Sequence, residues 1–283
     1  MGKMSEVLKR KGRVFKIAQD SPVSQPAAAP RPPRTAAPAA QPAPRPPQPS
    51  EVPPLPEEVR QRLVALYDPF SPEAKRIDIL RSQLLYPFHG DPPRTIMIAS
   101  ALPNEGRSLL LANLAISFAR GLQQYVLVLD CHLVSPDMHR LLQVPATPGL
   151  TDYLEGSATV PEIIHWTPVD KLSVIPAGSP TTRPSEILAT DKMAALVLEL
   201  RQRYNDRYIL IDTLPVQLGD DAAVLARLVE GIVFLVLAGV TDREVALRAL
   251  RALPEEKVIG LVLNDREEAV IDAPHITEYL MGD

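Results

Sequence analysis

Short apolar runs and longer helical stretches alternate along the chain from residue 95 onward. Six runs rich in Ile, Val and Leu have the length of strands and are bounded by polar or turn-forming residues. These runs are Thr95–Ala99, Tyr125–Leu129, Leu172–Ile175, Tyr208–Ile211, Ile232–Leu237 and Val258–Leu263. The helical stretches between them are Ser108–Arg120, Ser185–Tyr204, Asp220–Leu228 and Asp242–Leu253. This alternation predicts an α/β fold, with a doubly wound, mostly parallel sheet that helices cover on both faces.

A proline-rich stretch separates the start of the chain from this predicted domain. In residues 21–56, 14 of 36 positions are Pro and none is aromatic. Such a composition cannot bury enough apolar area to offset the entropy lost on ordering, so we expect a disordered, semi-extended linker. The folded domain is therefore predicted to span residues 57–283, and it opens with two helical patterns at Pro56–Tyr67 and Ser71–Tyr86.

The first 20 residues are predicted to contain a basic amphipathic helix over residues 4–18. Its apolar side chains fall within an arc of about 120° at the helical period, while Lys9, Arg10 and Arg13 lie elsewhere on the wheel. Two interpretations stay open. The helix contacts anionic lipid or an acidic groove on a partner, or the segment is a solvated, frayed terminus that Gly12 interrupts.

Charge and hydropathy narrow the classes of protein to which this chain can belong. Residues 1–56 hold nine Lys and Arg against three Asp and Glu, whereas the remainder holds 21 against 31. An acidic folded domain disfavours nucleic-acid binding. The longest apolar run is about half as long as a membrane span, and the first residues lack the hydrophobic region of a signal peptide. Together with the single cysteine, Cys131, these features predict a cytoplasmic protein.

The first predicted strand leads into a loop, Ser100–Ser108, that has the form of a phosphate-binding loop. In the pattern GxxxxGK[ST], glycines let backbone N–H groups wrap a phosphate at a helix N-terminus, Lys neutralises phosphate oxygens and Ser or Thr reaches Mg²⁺. Gly106 and Ser108 match this pattern, whereas Ala101 and Arg107 depart from it. The candidate nucleotide-binding residues are Asn104, Glu105, Gly106, Arg107, Ser108 and Leu109.

Two further predicted strands end in a carboxylate. Asp130 follows the run Tyr125–Leu129, and Asp212 follows Tyr208–Ile211. Since ligands bind beyond the carboxyl ends of parallel strands, these side chains are expected to face the loop, where Ser108, Asp130 and Asp212 are the candidate Mg²⁺ ligands. The alternative for either carboxylate is a structural one, the capping of the following helix.

The order and spacing of several segments resemble the bacterial tyrosine kinase family of polysaccharide export. These segments include SALPNEGRS, VLVLDCHLVSPDMHRLL, RPSEILAT, YILIDTLPV and IGLVLN. The resemblance implies a deviant P-loop NTPase fold, ATP or ADP with Mg²⁺ as cofactors, protein-tyrosine kinase activity, and Asp130 and Asp212 as the catalytic carboxylates.

The chain departs from the pattern of this family at its nucleotide site. Arg107 stands where the family has Lys, and His132 stands where it has a second Asp after the strand that ends at Asp130. A guanidinium is broader than the ammonium that the phosphate pocket expects, and neutral imidazole is a poor ligand for a hard cation. ATP and Mg²⁺ binding are therefore predicted to be weakened or lost.

Two further family features are incomplete. Only Tyr279 follows Tyr208, so a terminal tyrosine cluster is absent from the sequence given, and the ring-assembly pattern ExxRxxR has Ile79 at its third position. The resemblance implies a homo-oligomer, but this motif supports it only in part.

These observations lead to three hypotheses on function. The first is a degenerate, pseudokinase-like protein that regulates exopolysaccharide or capsule polymerisation and export by docking on a membrane co-polymerase, at the inner face of the plasma membrane. The second is an active ATP-dependent tyrosine autokinase of the same pathway. The third is a positioning ATPase of the ParA or MinD type. That class has a signature Lys early in the loop, whereas this chain has Leu102 there, which disfavours the third hypothesis.

Overall fold

One sheet of eight strands forms the centre of the molecule. The computed structural model describes residues 14–16, 55–88, 90–121, 125–203 and 207–265. The strands are β1 (Val14–Lys16), β2 (Thr95–Ser100), β3 (Tyr125–Asp130), β4 (His165–Trp166), β5 (Leu172–Ile175), β6 (Arg207–Asp212), β7 (Gly231–Leu237) and β8 (Val258–Asn264). All six strands predicted from apolar runs are present, with bounds that differ by one or two residues at most.

The order of the strands places β2 and β6 in the middle of the sheet. The order is β1-β8-β7-β2-β6-β3-β5-β4, and every neighbouring pair is parallel except β4 with β5. The predicted doubly wound, mostly parallel sheet is therefore confirmed. The short antiparallel strand β4 was not predicted, because two residues carry no recognisable period.

Eleven α-helices lie within the described residues, and the longest ones flank the sheet. They are α1 (Glu57–Arg62), α2 (Val64–Tyr67), α3 (Pro72–Leu85), α4 (Arg107–Gly121), α5 (Met138–Leu141), α6 (Leu150–Glu155), α7 (Val160–Ile163), α8 (Pro184–Leu188), α9 (Asp191–Arg203), α10 (Asp221–Ala226) and α11 (Arg243–Arg251).

Alternate residues of the central strands supply two separate cores. Along β2, Ile96 and Ile98 pack in a cluster with residues of α3 and α4, whereas Met97 and Ala99 pack in a second cluster with residues of α9, α10 and α11. Both faces of the sheet are thus covered, which explains why the strands read as continuous apolar runs rather than as alternating ones.

Two long helical predictions prove to be broken helices. The stretch Pro56–Tyr67 divides into α1 and α2 at Leu63, whose side chain is fully buried. The stretch Ser185–Tyr204 divides into α8 and α9 at Thr190, whose hydroxyl donates to the carbonyl of Ile187 over 2.8 Å. Burial and a local side-chain hydrogen bond decide these breaks, and the helical period does not reveal them.

The N-terminal prediction is wrong for three residues and lies largely outside the described residues. Val14–Lys16 form strand β1, paired in parallel with β8, rather than part of a helix over residues 4–18. Backbone pairing with the edge of the sheet replaces helical hydrogen bonds there. Residues 1–13, most of the predicted linker and Tyr279 are not described, but Leu55, assigned to the linker from sequence, is already buried in the core.

Asn113 in α4 joins the first two helices to α4. Its side-chain carbonyl accepts from the backbone N–H of Ala65 at 2.9 Å, and its amide donates to the carbonyl of Arg62 at 3.0 Å. Asn113 is itself buried, and its bond with Ala65 is made away from water, whereas the bond to Arg62 is partly buried. The junction of α1 and α2 thereby has both a donor and an acceptor satisfied by one side chain.

Replacing Asn113 by Leu, which is similar in volume, should lower the free energy of unfolding by about 1–3 kcal/mol, because the buried Ala65 N–H and Arg62 carbonyl lose their partner. Urea denaturation of the two proteins measures this difference. Ser82→Ala removes an exposed hydrogen bond on α3 and should change stability by less than about 0.5 kcal/mol. An Asn113→Leu protein as stable as the wild type would contradict the bracing role.

Candidate functional site

Three adjacent strands deliver polar residues to the same edge of the sheet. Ser100 ends β2, Asp212 ends β6 and Asp130 ends β3, with β6 between the other two strands. Asp130 and Asp212 are register partners, and the Cys131 N–H donates to the carbonyl oxygen of Asp212 at 3.1 Å. Parallel register therefore brings the two predicted carboxylates together at the mouth of the phosphate-type loop.

The loop between β2 and α4 is held in shape by its own buried carboxylate. Glu105 is only 3% exposed, accepts from the Leu102 N–H at 2.8 Å and also accepts from the Thr241 hydroxyl. Its backbone carbonyl accepts from the side-chain amide of Asn264 at 2.8 Å. Glu105, which the sequence predicts to bind nucleotide, thus braces the loop, while its backbone still borders the cleft.

Asn264 and Thr241 are functional residues that sequence reasoning missed. Thr241 follows β7 and Asn264 ends β8, so both stand at the same edge of the sheet as the loop. In the sequence, only their positions after apolar runs pointed to a place near the site. Thr and Asn side chains are not residue types that nucleotide chemistry specifically requires. The structure assigns both to holding the loop rather than to contacting a ligand.

Two residues of the loop adopt positive φ. Asn104 has φ of 61° and Gly106 has φ of 92°. A Cβ atom on Gly106 would lie 2.5 Å from the side-chain nitrogen of Asn264, so both conformation and space require glycine there. Asn tolerates the left-handed region better than most residues, so Asn104 can hold this conformation.

Arg107, the first residue of α4, forms a buried ion pair with Asp212. Its Nε lies 2.7 Å from Asp212 Oδ1, and the two side chains are 6% and 0% exposed. The other carboxylate oxygen accepts from the Ser108 hydroxyl at 2.6 Å, and Oδ1 also accepts from the Thr213 N–H at 3.0 Å. Both oxygens of Asp212 are therefore occupied by protein donors.

This ion pair is costly to break. Removing one partner of a buried pair leaves an uncompensated charge, which typically costs about 3–5 kcal/mol. A second contact, from Arg107 Nη1 to the Ser100 hydroxyl at 3.3 Å, fixes the plane of the guanidinium. Arg107 thus stands between the phosphate-type loop and the carboxylate behind it.

Asp130 is held in a setting that favours its protonated form. Complete burial, and secondly the charge of Asp212, raise its pKa from 3.8 to about 8, although backbone donors and Arg107 oppose the shift. Oδ1 accepts from the His132 N–H at 3.0 Å, whereas the buried Oδ2 has no hydrogen-bond partner among the described residues. A carboxyl group that is mostly neutral at pH 7 is a weak ligand for Mg²⁺.

His132 stands in front of Asp130 as a neutral side chain. Burial, and then the charge of Arg107, lower the pKa of the imidazole below its usual value of 6.5. A neutral ring offers one nitrogen lone pair and no negative charge, so it does not replace the carboxylate that the resemblance implies at this position.

A cleft of about 780 Å³ opens above these residues. The predicted nucleotide-binding residues Asn104 to Leu109 line it, as does His132, whereas Asp130 and Asp212 lie buried behind the loop. The first turn of the 15-residue helix α4 begins at the floor of this cleft. Its volume and the helix N-terminus suit a phosphate-bearing ligand.

The three predicted magnesium ligands make specific contacts in the arrangement seen. Asp212 Oδ1 accepts from Arg107 and Oδ2 accepts from Ser108, and burial raises the pKa of Asp130. Within the described part of the chain, no group of three or more His, Cys, Asp and Glu side chains is placed to hold a metal. The loop is suited to phosphate, and the Asp212 carboxylate behind it is paired with Arg107.

The residues of the predicted ring-assembly motif all lie on α3. Ile79 is 57% exposed, whereas Arg81 Nη1 donates to the backbone carbonyl of Ser117 in α4 at 2.6 Å. Arg81 is thereby committed to its own chain, so it does not substitute for an arginine at position 79.

No family model matches the sequence. Among curated proteins, the chain is 27% identical over 211 residues to tyrosine-protein kinase YwqD of Bacillus subtilis, covering 74% of this chain and 88% of YwqD. It is 30% identical over 187 residues to the putative tyrosine-protein kinase CapB of Staphylococcus aureus, covering 65% of this chain and 81% of CapB. It is also 32% identical over 180 residues to the succinoglycan biosynthesis transport protein ExoP of Rhizobium meliloti, covering 62% of this chain and 22% of ExoP.

The solved structures that resemble this chain include a tyrosine kinase domain, in agreement with the curated relatives. The chimerical protein CapA2B2 matches with a TM-score of 0.67 at 26% identity, covering 72% of this chain and 89% of that one. The kinase domain of the Escherichia coli tyrosine kinase ETK matches with a TM-score of 0.67 at 25% identity, covering 72% and 81%. MinD of Pyrococcus horikoshii, with a TM-score of 0.51 at 19% identity over 63% and 76%, shares the fold alone.

The raised pKa of Asp130 predicts a specific dependence of stability on pH. The folded state keeps a proton that the unfolded state releases near pH 3.8, so this contribution to stability is present at low pH and is lost as pH rises toward about 8. Urea unfolding between about pH 5 and pH 9 should therefore show wild-type stability falling relative to that of Asp130→Asn. Asp170→Asn, at an exposed carboxylate, should retain the wild-type profile. Identical profiles for wild type and Asp130→Asn would refute the buried, protonated carboxyl.

Proposed function

Because the chain belongs to the bacterial tyrosine kinase family, we propose that it is a degenerate member that regulates exopolysaccharide or capsule polymerisation and export through a membrane co-polymerase rather than by phosphoryl transfer. Membership fixes the fold, and it supports a nucleotide site at the loop between β2 and α4. The contacts made at that site, described above, support a non-catalytic role.

The ion pair between Arg107 and Asp212 is the observation that carries this proposal. In a working P-loop site, a cation beside this strand-end carboxylate neutralises the phosphates, and the adjacent hydroxyl helps to hold it. Here the Arg107 guanidinium is paired with Oδ1 of Asp212, and the Ser108 hydroxyl donates to Oδ2. Binding of a metal at Oδ1 requires breaking a buried pair, and binding at Oδ2 requires the Ser108 hydroxyl to give up its hydrogen bond.

The setting of Asp130 is unfavourable for a base that accepts the proton of a tyrosine hydroxyl. Asp130 is buried beside Asp212, and burial raises its pKa to about 8. A protonated carboxyl does not accept the proton of an attacking hydroxyl. His132, with its lowered pKa, faces the same cleft but supplies no negative charge to position a metal.

The relatives support a place in polysaccharide biosynthesis and export. ExoP is a succinoglycan biosynthesis transport protein, and the segment similar to this chain makes up 22% of it. We infer that this chain performs its role beside a separate membrane protein that supplies what the longer relative carries in one polypeptide. No helix within the described residues is long and apolar enough to cross a bilayer.

Attachment to the inner face of the plasma membrane is proposed to involve the basic start of the chain. The nine Lys and Arg of residues 1–56 contrast with the acidic remainder, and anionic lipid attracts clustered basic side chains. Strand β1 begins directly after Arg13 and pairs with β8 at the edge of the sheet.

The proposal predicts no appreciable protein-tyrosine kinase activity. The purified chain, incubated with labelled ATP and Mg²⁺ alone or with a tyrosine-rich peptide, should transfer no more phosphate than its Asp212→Ala variant. The double change Arg107→Lys with His132→Asp should restore Mg²⁺-dependent ATP binding, because it returns a compact ammonium and a second carboxylate. Arg248→Lys, on the exposed side of α11, serves as the matched control and should behave as wild type.

Robust phosphotyrosine on the wild-type chain, abolished by Asp212→Ala, would instead establish the active autokinase. That alternative keeps Ser108, Asp130 and Asp212 in their family roles, and it requires Arg107 to leave the carboxylate during each turnover.

Membrane attachment is tested by removing charge from the N-terminal segment without deleting β1. Changing Lys9, Arg10 and Arg13 together to Gln should weaken binding to vesicles containing anionic lipid on the order of 100-fold, at about 1 kcal/mol per basic residue. Changing Arg31, Arg34 and Arg45 to Gln removes the same charge from the proline-rich segment and should have a much smaller effect. Vesicle sedimentation measures both, and equal losses would assign the attraction to net charge alone.

A further inference from the structure

Arg107 keeps unused hydrogen-bonding capacity while it is paired with Asp212. A guanidinium carries five N–H donors in a plane. Within the described part of the chain, Nε is bonded to Asp212 and Nη1 to Ser100, so the remaining N–H groups at the tip of the side chain are not engaged. The side chain is 6% exposed, and Arg107 is one of the residues that line the cleft. One edge of the guanidinium holds the carboxylate, and N–H groups remain for a ligand in the cleft.

This arrangement gives one side chain the two tasks that a divalent cation performs in a phosphate site. A metal at such a place neutralises the strand-end carboxylate and attracts phosphate oxygens. Arg107 already neutralises Asp212 through the 2.7 Å contact, and its charge lies at the floor of the cleft. Planar guanidinium groups bind phosphate through paired donors, so the second task suits this side chain.

We propose that the cleft binds a nucleoside di- or triphosphate without a divalent metal, with Arg107 bridging Asp212 and the phosphates where Mg²⁺ would otherwise lie. This inference rests on the proposed non-catalytic role, because a working kinase needs the metal.

The surroundings of Arg107 support an anion rather than a metal complex. Gly106 keeps the backbone close to the cleft, and helix α4 begins at the next residue, so the partial positive charge of the helix adds to that of Arg107. A magnesium ion would meet the guanidinium at short range and would find the oxygens of Asp212 already bonded. Free nucleotide is more negatively charged than its magnesium complex and should be favoured.

The direct test compares nucleotide binding by the full wild-type chain with EDTA and with excess Mg²⁺. Titration with fluorescent ADP and with ATP, checked by calorimetry, should give binding in EDTA that is as tight as, or tighter than, binding in Mg²⁺. This comparison needs no variant, so it does not depend on the folding of a mutant. Binding that requires Mg²⁺ would overturn the inference, and so would the absence of binding in both conditions.

Variants locate the effect at Arg107. Arg107→Gln should weaken binding in EDTA by about 10- to 100-fold, the range expected for lost charge-assisted hydrogen bonds. Arg107→Lys should make binding depend on Mg²⁺, since an ammonium cannot hold the carboxylate and the phosphates in one plane. Arg248→Gln removes the same charge at an exposed site on α11 and should leave the affinity within about twofold of the wild-type value. Far-ultraviolet circular dichroism confirms that each variant is folded.

The outcomes separate this inference from the proposed function. Metal-dependent binding without phosphoryl transfer would overturn metal-free binding and leave the non-catalytic role standing. Phosphoryl transfer by the wild-type chain would overturn both. Metal-free binding that Arg107→Gln does not weaken would show that another group holds the phosphates, and it too would overturn the bridging role.

Discussion

The arrangement of the candidate site depends on the buried ion pair between Arg107 and Asp212. Asp212 is fixed by the register of β6 with β3, and Arg107 is fixed as the first residue of α4. Since neither side chain is exposed enough for water to compensate its charge, each requires the other. The pairing determines what Ser108 contacts, contributes to the pKa values of Asp130 and His132, and leaves the tip of the guanidinium at the cleft.

A single substitution therefore changes the chemistry of several groups. An ammonium in place of Arg107 would carry its charge at a point and could approach phosphates without occupying the carboxylate edge. With a guanidinium, the strand-end carboxylate is neutralised by the protein itself. The site keeps the loop, the helix N-terminus and the cleft, and its strand-end carboxylate Asp212 is paired with Arg107, which is the basis of the proposed non-catalytic role.

The fold was largely predictable because the central strands are buried on both faces and so read as uninterrupted apolar runs. The loop and the two strand-end carboxylates were predictable for a related reason, since parallel strands present their carboxyl ends at one edge. Three features were not predictable from the sequence. The helix break at Leu63 depends on burial, the break at Thr190 depends on a hydrogen bond of its hydroxyl, and the strand Val14–Lys16 depends on pairing with β8.

Within the site, the sequence identified Arg107 as a substitution but not the contact that it makes. Its pairing with Asp212 spans 105 positions along the chain and depends on the direction of one side chain. The bracing of Glu105 by Thr241 and Asn264 also joins distant positions. A local sequence pattern cannot predict contacts between such distant positions. It does predict which residues lie on strands and which lie in loops.

The most direct measurement is a crystal structure of the chain grown with a non-hydrolysable ATP analogue and Mg²⁺. If the ion pair governs the site, Arg107 Nε will remain within about 3 Å of an Asp212 oxygen, with no metal bonded to that carboxylate. Magnesium coordinated by Asp212 and Ser108, with Arg107 turned away and the terminal phosphate aligned for transfer, would contradict it.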